Sequence, residues 1–497
     1  MLPPFILNIL QQIEDKGFEA YAVGGCVRDL LMGVGKEQQD WDITTNALPR
    51  DVLKIFPQGK YNNEFGTVLV PYETEQGNRS AVEITTFRSE GGYSDRRHPD
   101  NVKFEKDLDK DLGRRDFTIN ALAMKPEDSK LSLPADLLKW SFTQDGYVIV
   151  DLFGGVKDIK KRVIRAVGEP EDRFKEDALR MMRAIRFACR LDFSIEDKTE
   201  RAIKKMAGSI KFIANERIRD ELIKILESDN AYNGIMFLHE NKMLQYILPE
   251  VEQGVGVKQD RHHIYTVFKH SVLALKNCPG KDWRVRLAAL LHDVGKPKVK
   301  RIINGRATFY NHEYVSAKMA SKIADRLKFS KKDKEKVVTL VRNHMFYYDV
   351  GEVTASSVRR LIKNVGEENL GELINVRIAD RLGSGVPKAK PYKLRHLEYM
   401  MKKVRKDPIS VKMLKINGDI LMKELGMRPG PKIGAVLEVL LSEVLDDPGL
   451  NNKKYLLARS KELKDEELSK LRERAKEKIE QERKEQDREM KKEFKVK

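Results

Sequence analysis

The apolar residues of this chain change their spacing near Glu171, and that change limits the folds open to it. Before it, short β-branched or apolar runs at Tyr21–Val23, Asp42–Thr45, Thr67–Val70 and Val82–Phe87 lie between Gly, Pro and Asn turns, as strands interleaved with helices do. After it, apolar residues return at helical intervals, as at Ala178, Met181, Met182, Ile185 and Phe187, and strand signals nearly vanish. The spacing predicts an α/β head on a long helical body. A chain of 497 residues should hold roughly three domains of ~100–200 residues each. Gly254 and Gly256 mark one junction in the body, and the Gly, Ser and Pro cluster around Pro387–Pro391 marks another. The end of the chain is rich in Lys and Glu and poor in apolar residues. It reads as a solvated helix or frayed tail, with RNA contact as the other reading.

Charge narrows the partners. Lys and Arg total 94 against 76 Asp and Glu, a net +18, which points to a polyanion, nucleic acid before a membrane surface. No apolar run approaches the ~18–20 residues a membrane span requires, and the opening MLPPFILNILQQIED has no basic segment of a signal peptide. Cys26, Cys189 and Cys278 are odd in number and far apart, so neither a disulfide framework nor a C-x-x-C zinc set is expected and a reduced cytoplasm is the default. Secreted, membrane-spanning and disordered classes are excluded. Oligomeric state leaves no mark.

The first chemical constellation is YAVGGCVRDLLMG followed by QDWDITTN. Gly24 and Gly25 between a strand and a helix let a ligand approach the backbone, and Arg28, one turn into the helix, reaches the same anion. On a strand the side-chain period is two, so Asp40 and Asp42 face one side. Adjacent carboxylates repel each other, and Mg²⁺ resolves this by taking one or two carboxylates plus substrate phosphates. Phosphate-binding glycines before paired aspartates are the layout expected for two-metal nucleotidyl transfer. Glu83, in AVEITTFR, is either a third carboxylate or a solvent-facing strand residue. Further on, DLGRRDFTINALAM carries Arg114, Arg115 and Asp116, and EDALRMMRAIRF is expected to open a helix. Its Arg180, Arg183 and Arg186 should line a cleft-facing or solvent-facing stripe.

Together GGCVRD, DWDIT, VEITTFR, RRDFTINALA, DLFGGVKDI, EDALRMMRAIRFACRL and ERIRDELIKIL, from about Val23 to Leu226, resemble the family of tRNA nucleotidyltransferases (CCA-adding enzymes) and bacterial poly(A) polymerases. The resemblance implies an α+β fold class: a polymerase-β-like nucleotidyltransferase head, a mixed sheet with helices, followed by an all-α body. It assigns nucleotide contacts to Gly24, Gly25, Arg28 and Arg115, catalytic Mg²⁺ to Asp40 and Asp42, base reading to Asp177 and Arg180, and phosphate or ribose contacts to Arg183 and Arg186. A carboxylate and a guanidinium three residues apart on a helix match the amine and ring nitrogen that cytosine and adenine present, the reverse of uracil and guanine. CTP and ATP are therefore the expected substrates and tRNA the partner. GKYNNEFGTVLV departs from the poly(A) signature, with Tyr61 in place of Phe and no following His, and FRSEGGYSDRRHPDNVKF resembles the flexible loop of full CCA-adding enzymes. These favour CCA addition over the poly(A) branch and over CC-only relatives, which have that loop shortened; the alternative is a poly(A) polymerase or a CC- or A-adding specialist with the same site.

A second constellation lies in HHIYTVFKHSVLAL and LAALLHDVGKPK. His270, His292, Asp293 and Asp380 form a four-ligand set for a divalent metal of unstated identity, with His262, His263, His312 and His344 as further candidates. This resembles the HD phosphohydrolase superfamily, which implies metal-assisted hydrolysis of phosphoesters such as 2′,3′-cyclic phosphates. The expected divisions are a head over 1–170, a base-reading and RNA-binding neck over 171–253, an HD domain over 254–386, a tRNA-binding body over 387–465 and a charged tail over 466–497. A reading from another class is a metal-dependent phosphohydrolase whose head only binds RNA.

Overall fold

The computed structural model describes residues 2–34, 41–62, 66–73, 79–91, 101–259, 264–346, 348, 350, 355–385, 388–405, 411–473 and 488. Asp40, His262 and His263, residues 92–100 of the loop segment and most of the charged tail lie outside the described residues. The chain divides into two compact units, Met1–His344 with Glu372–Val386, and Met345–Gly371 with Pro387–Lys497.

The first unit opens on a mixed sheet. Its strands are β1 (Ala20–Val23), β2 (Asp42–Thr45), β3 (Lys60–Tyr61), β4 (Thr67–Glu73) and β5 (Arg79–Thr86). A separate pair, β6 (Arg88–Gly91) and β7 (Asn101–Phe104), precedes β8 (Ala123–Pro126), β9 (Ser141–Gln144) and β10 (Tyr147–Val150). The sheet order is β3-β4-β5-β2-β1-β8-β10-β9, and only β2 and β5 run parallel. Period-two alternation sorts the two faces. Ala20, Ala22 and Ile43 pack with Ile6, Ile9, Leu10 and Ile13 of the helix Pro4–Glu14, whose buried residues recur at helical spacing. Tyr21 and Val23 face the other way, toward Phe87, Leu108 and Leu112. Each such fully buried side chain contributes about 1.5–3 kcal/mol of transfer free energy. Thr44 shares that second face and donates to Asp111 Oδ2 (3.2 Å), so Asp42, two residues earlier, opens on it too.

Helices follow, as the periodicity predicts. Leu179–Leu191 buries ten of its residues and packs against Asn215–Glu227 and Ala231–Glu240. Val267–Lys276, Trp283–Leu291, His312–Arg326, Lys331–Asn343 and Leu370–Gly383 then carry the His and Asp cluster. Two local details differ from expectation. The helix Pro170–Glu176 ends before Asp177, whose backbone is extended, so Asp177 and Arg180 do not share one helix face. Asp177 instead stands just before the N-cap Ala178 of the next helix and accepts from Leu179 N at 3.0 Å. The body also contains a β-hairpin, Arg301–Ile303 with Arg306–Thr308, turned through Asn304 and Gly305, both at positive φ.

The second unit is helical, with a core of Leu421, Val436, Val439, Leu440, Leu456 and Leu463 drawn from Gly418–Leu425, Pro431–Asp446 and Lys453–Leu463. Among the described residues no helix is long and apolar enough to cross a membrane.

Candidate functional site

Asp42 begins β2 and stands in register with Glu83 on the parallel neighbour β5, so both carboxylates leave the sheet on one face. Beside them the chain leaves β1 through Gly24 at φ +81°. A Cβ there would lie 2.9 Å from Arg115 Nη1 and 3.7 Å from Asp42 Oδ2, so the glycine is required both by its conformation and by what crowds against it. Gly25 faces the Arg28 guanidinium in the same way, at 3.5 Å. Asp42, Glu83, Gly24, Gly25, Arg28 and Arg115 are thus brought together.

The arginines are held from behind. Asp111, fully buried, accepts from Arg114 (2.7 Å) and Arg115 (3.2 Å). Burial acts to raise the Asp111 pKa, but the two guanidinium groups outweigh it and keep the carboxyl below its ordinary range. Arg28 donates through Nη1 to Asn120 Oδ1 (2.7 Å) and through Nε to Asp29 (2.7 Å). Asn120 donates to Asp116 Oδ1 (3.2 Å), and Asp116 Oδ2 accepts from Arg183 Nε (2.7 Å). The Phe187 ring lies under three guanidinium groups, Arg28 and Arg183 at 5.4 Å and Arg186 at 4.3 Å. A continuous chain of polar contacts therefore links the helix after Gly24 to the helix Leu179–Leu191.

The proposed base readers have partners within the protein. Asp177 accepts from Arg217 at 2.7 and 3.3 Å, and Arg180 pairs with Glu176 (2.6 Å) and donates to the Arg114 carbonyl (3.2 Å). The expectation of an open arginine stripe holds for none of its two outer members: Arg180 and Arg186 are buried, and Arg186 is paired to the buried Glu221 at 3.0 Å. Glu221 lies on Asn215–Glu227, and the packing of that helix against Leu179–Leu191 encloses the pair.

The second site lies between helices of the same unit. Nε2 of His270 and of His292 are 2.9 Å apart and lie 3.1 and 3.2 Å from Asp293 Oδ2; Asp380 Oδ1 is 3.3 and 3.6 Å from the same two nitrogens. All four predicted ligands meet, and His312 and His344 join them through the other oxygen of Asp293, at 3.2 and 3.8 Å. One carboxylate thus faces two groups of histidines. Nδ1 of His292, His312 and His344 lies 2.7–2.8 Å from the carbonyl three residues earlier, Ala289, Phe309 and Val341. That contact places a proton on Nδ1 and leaves an Nε2 lone pair aimed at the cluster, the tautomer a metal-binding imidazole uses. Among the described residues, Nε2 of His312 and of His344 is buried without a hydrogen-bond partner. Lys296 pairs with Asp293 (2.6 Å) and Arg377 with Asp380 (2.7 Å), and the converging imidazole nitrogens beside these carboxylates suit a divalent ion as the further positive charge. Without a cation, burial disfavours the charged form of His292 but Asp293 and Asp380 raise its pKa to about 10, so a proton occupies the Nε2 position a metal would take, while burial and the His292 charge lower His344 to about 3. The donor set fits a metal.

Asp111, Asn120, Arg217 and Lys296, which reaches Asp293 at 2.6 Å, are the supporting residues that sequence reasoning missed. Asp111 had a visible signal in its three- and four-residue spacing to Arg114 and Arg115. Arg217 meets Asp177 from forty residues away and had none.

Known proteins resemble the chain along nearly all of it. The Poly A polymerase head domain matches residues 20–165, the "probable RNA and SrmB- binding site of polymerase A" matches 192–254, and the HD domain matches 261–384. The transferase and HD families generally work with divalent metal ions. The CCA-adding enzyme of Ligilactobacillus salivarius is 35% identical over 93% of this chain and 97% of that protein. The A-adding tRNA nucleotidyltransferase of Deinococcus radiodurans is 33% identical over 85% and 90%. The crystal structure of the Bacillus stearothermophilus CCA-adding enzyme in complex with CTP matches with a TM-score of 0.57 and 27% identity, over 93% of this chain and 98% of that one. Head, RNA-binding and HD regions in one order, with identity sustained along the whole length of such relatives, place the chain in the family of CCA-adding enzymes, which are tRNA nucleotidyltransferases.

Proposed function

We propose that the chain adds C, C and A in turn to the 3′ end of tRNA from CTP and ATP, without a nucleic-acid template. The observation that carries this reading is the meeting of Asp42, Glu83 and Arg115 around the Gly24 turn. Asp40 and Asp42 would hold Mg²⁺, which activates the attacking hydroxyl and neutralises the leaving pyrophosphate. Glu83 supplies a third carboxylate beside Asp42. Arg28 and Arg115, held by Asn120 and Asp111, present guanidinium groups to the triphosphate without having to be ordered when it binds. Asp177 accepts from the exocyclic amine and Arg180 donates to the ring nitrogen of C or A, Arg217 and Glu176 yielding part of their contacts to the base. Arg183, tied to Asp116, holds this helix against the head, Arg186, tied to Glu221, holds it against Asn215–Glu227, and the two complete the phosphate side.

The divisions at 170, 253, 386 and 465 then separate a transferring head, a base-reading neck, an HD domain, a tRNA-holding body and a charged tail. The His270, His292, Asp293 and Asp380 set, with His312 and His344, binds a divalent metal and supports phosphoester hydrolysis. The setting is the cytoplasm.

The test is a tRNA transcript ending at the discriminator base, with Mg²⁺ and with CTP and ATP offered singly and together. Growth by three nucleotides, stopping there, is expected. The Deinococcus relative gives weight to a second reading, A addition alone, in which only a transcript already ending in CC grows, by one A. Long A tails from ATP alone would make the chain a poly(A) polymerase, and no growth on any RNA would leave only the HD site as catalytic.

A further inference from the structure

The eight-stranded sheet of the head ends on β3 at one side and on β9 at the other. An open edge offers backbone N–H and C=O groups to any other strand, and folded proteins blunt such edges with charge, proline or brevity. β3 is two residues long and one of them is Lys60. β9, Ser141–Gln144, is four residues long and contains neither charge nor proline. Among the described residues only β10 pairs with it. The Asp151 N–H donates to the Trp140 carbonyl (2.9 Å). In this antiparallel register Trp140, Phe142 and Gln144 therefore direct their backbone groups to β10, while those of Ser141 and Thr143 point outward. The Ser141 N–H turns back to the Leu138 carbonyl, which leaves the Ser141 C=O and the Thr143 N–H and C=O on the open edge.

Leu138, Trp140 and Phe142 are exposed beside these groups. Phe142 stands opposite Ile149 and Gln144 opposite Tyr147, so Trp140, Phe142 and Gln144 share the face on which Tyr147 and Ile149, with Leu30, Leu31 and Met124, line an apolar recess. A polyanion does not suit this edge. Between Glu127 and Gly146 the acids Glu127, Asp128, Asp136 and Asp145 outnumber Lys130 and Lys139, although the chain as a whole is basic. The edge is instead complementary to itself. A two-fold axis at Phe142 sets Thr143 against Ser141 of a second copy, so that each Thr143 N–H meets a Ser141 C=O. Phe142 then faces Phe142 in a pair without hydrogen bonds, its Cα atoms about 4.5 Å apart. Each Trp140 comes opposite Gln144, which borders the recess, and the exposed Lys139 of each copy comes alongside the exposed Asp145 of the other.

We propose that the chain self-associates through β9, two copies pairing antiparallel about Phe142 and joining their eight-stranded sheets into one. β1, β8 and β10 separate this edge from Asp42 on β2, so both transferase sites stay open in the pair.

Sedimentation of the full chain over a concentration series reads the association, and a monomer–dimer exchange is expected. Thr143→Pro removes both N–H groups that cross the axis, at an outward edge position that accepts proline, and should weaken the dimer about 5- to 150-fold. Lys139→Asp and Asp145→Lys each set like charges side by side and should weaken it about 2- to 30-fold, whereas the double swap restores it. Thermal midpoint and incorporation into tRNA stay as in wild type. If Thr143→Pro melts early, Phe142→Lys takes its place: it sets two like charges across the axis at an exposed position, with the same loss expected. A chain that is monomeric at every soluble concentration overturns the proposal. So does a dimer indifferent to Thr143→Pro and Phe142→Lys, whose interface lies elsewhere. A double swap no better than either single variant also overturns it, since the edge would then hold something other than its own copy.

Discussion

Asp116 shows how much of the head depends on single carboxylates. One of its oxygens accepts from Asn120 and the other from Arg183, so it connects the residue that orients Arg28 to the helix Leu179–Leu191. Burial acts to raise its pKa, but Arg183 and then Arg180 more than offset this and hold the carboxyl below its ordinary range. A folded-state pKa below the unfolded value means stability that is present above the unfolded pKa and lost as pH falls through the folded one. Asp116→Asn should therefore lower stability at pH 7 by about 1.5–3 kcal/mol, the usual worth of hydrogen bonds to charged groups. The gap to wild type should narrow below about pH 4, read from urea midpoints at several pH values. A gap that stays constant from pH 7 to 3 would remove the charge from the explanation. Asp177 and Arg180 look in the sequence like one face of one helix; the structure separates them with a helix end, and the partner that fixes Asp177, Arg217, comes from another helix.

At the scale of elements, the turn from β1 into its helix is held by both conformation and crowding. Gly24→Ala would hold an L residue at φ +81° and set its Cβ 2.9 Å from Arg115. The strain alone costs about 1–3 kcal/mol. Because the crowded atom is the end of a flexible side chain, Arg115 should move, and its movement should raise KM for CTP and ATP more than thermal stability falls. A variant with unchanged KM would separate Arg115 from nucleotide binding. The strands around this turn were legible because β-branched runs between glycines and prolines have few other solutions: Asp42–Thr45 is β2 with the bounds read from the sequence. The His and Asp cluster was legible in its residue types, but the convergence of His312 and His344 on the second oxygen of Asp293 depends on how Trp283–Leu291, His312–Arg326 and Lys331–Asn343 pack. The hairpin at 301–308 was missed although Asn304-Gly305 between Ile303 and Arg306 is a strong hairpin signal; helical periodicity on both sides masked three-residue strands. The buried state of Arg186 had no signal, since only tertiary packing brings Glu221 to it.

At the scale of the whole chain, the transferase residues and the HD residues come from separate stretches, before residue 222 and after residue 258, and make different chemical demands. The first site needs carboxylates and arginines arranged around a glycine turn; the second needs imidazole lone pairs around a shared carboxylate. Their activities should therefore be separable by substitution. Asp42→Ala takes away a carboxylate proposed to hold Mg²⁺ beside Glu83 and should lower incorporation at least about a hundredfold, the scale of losing one electrostatic contact to a transition state. It leaves metal content at the HD cluster and phosphoester hydrolysis as they were. His292→Ala removes a nitrogen that lies 3.2 Å from Asp293 and 2.9 Å from His270, so metal content should drop and hydrolysis with it, while incorporation into tRNA persists. Elemental analysis of the purified variants and the two activity assays together read the outcome. Because His292 is buried among helices, His292→Asn serves as the second variant if the alanine form fails to fold: it keeps a polar side chain there but is a poorer metal ligand. If Asp42→Ala silenced both activities in a folded, metal-replete protein, hydrolysis would depend on the head, and the two sites would have to act on one bound RNA as a single machine.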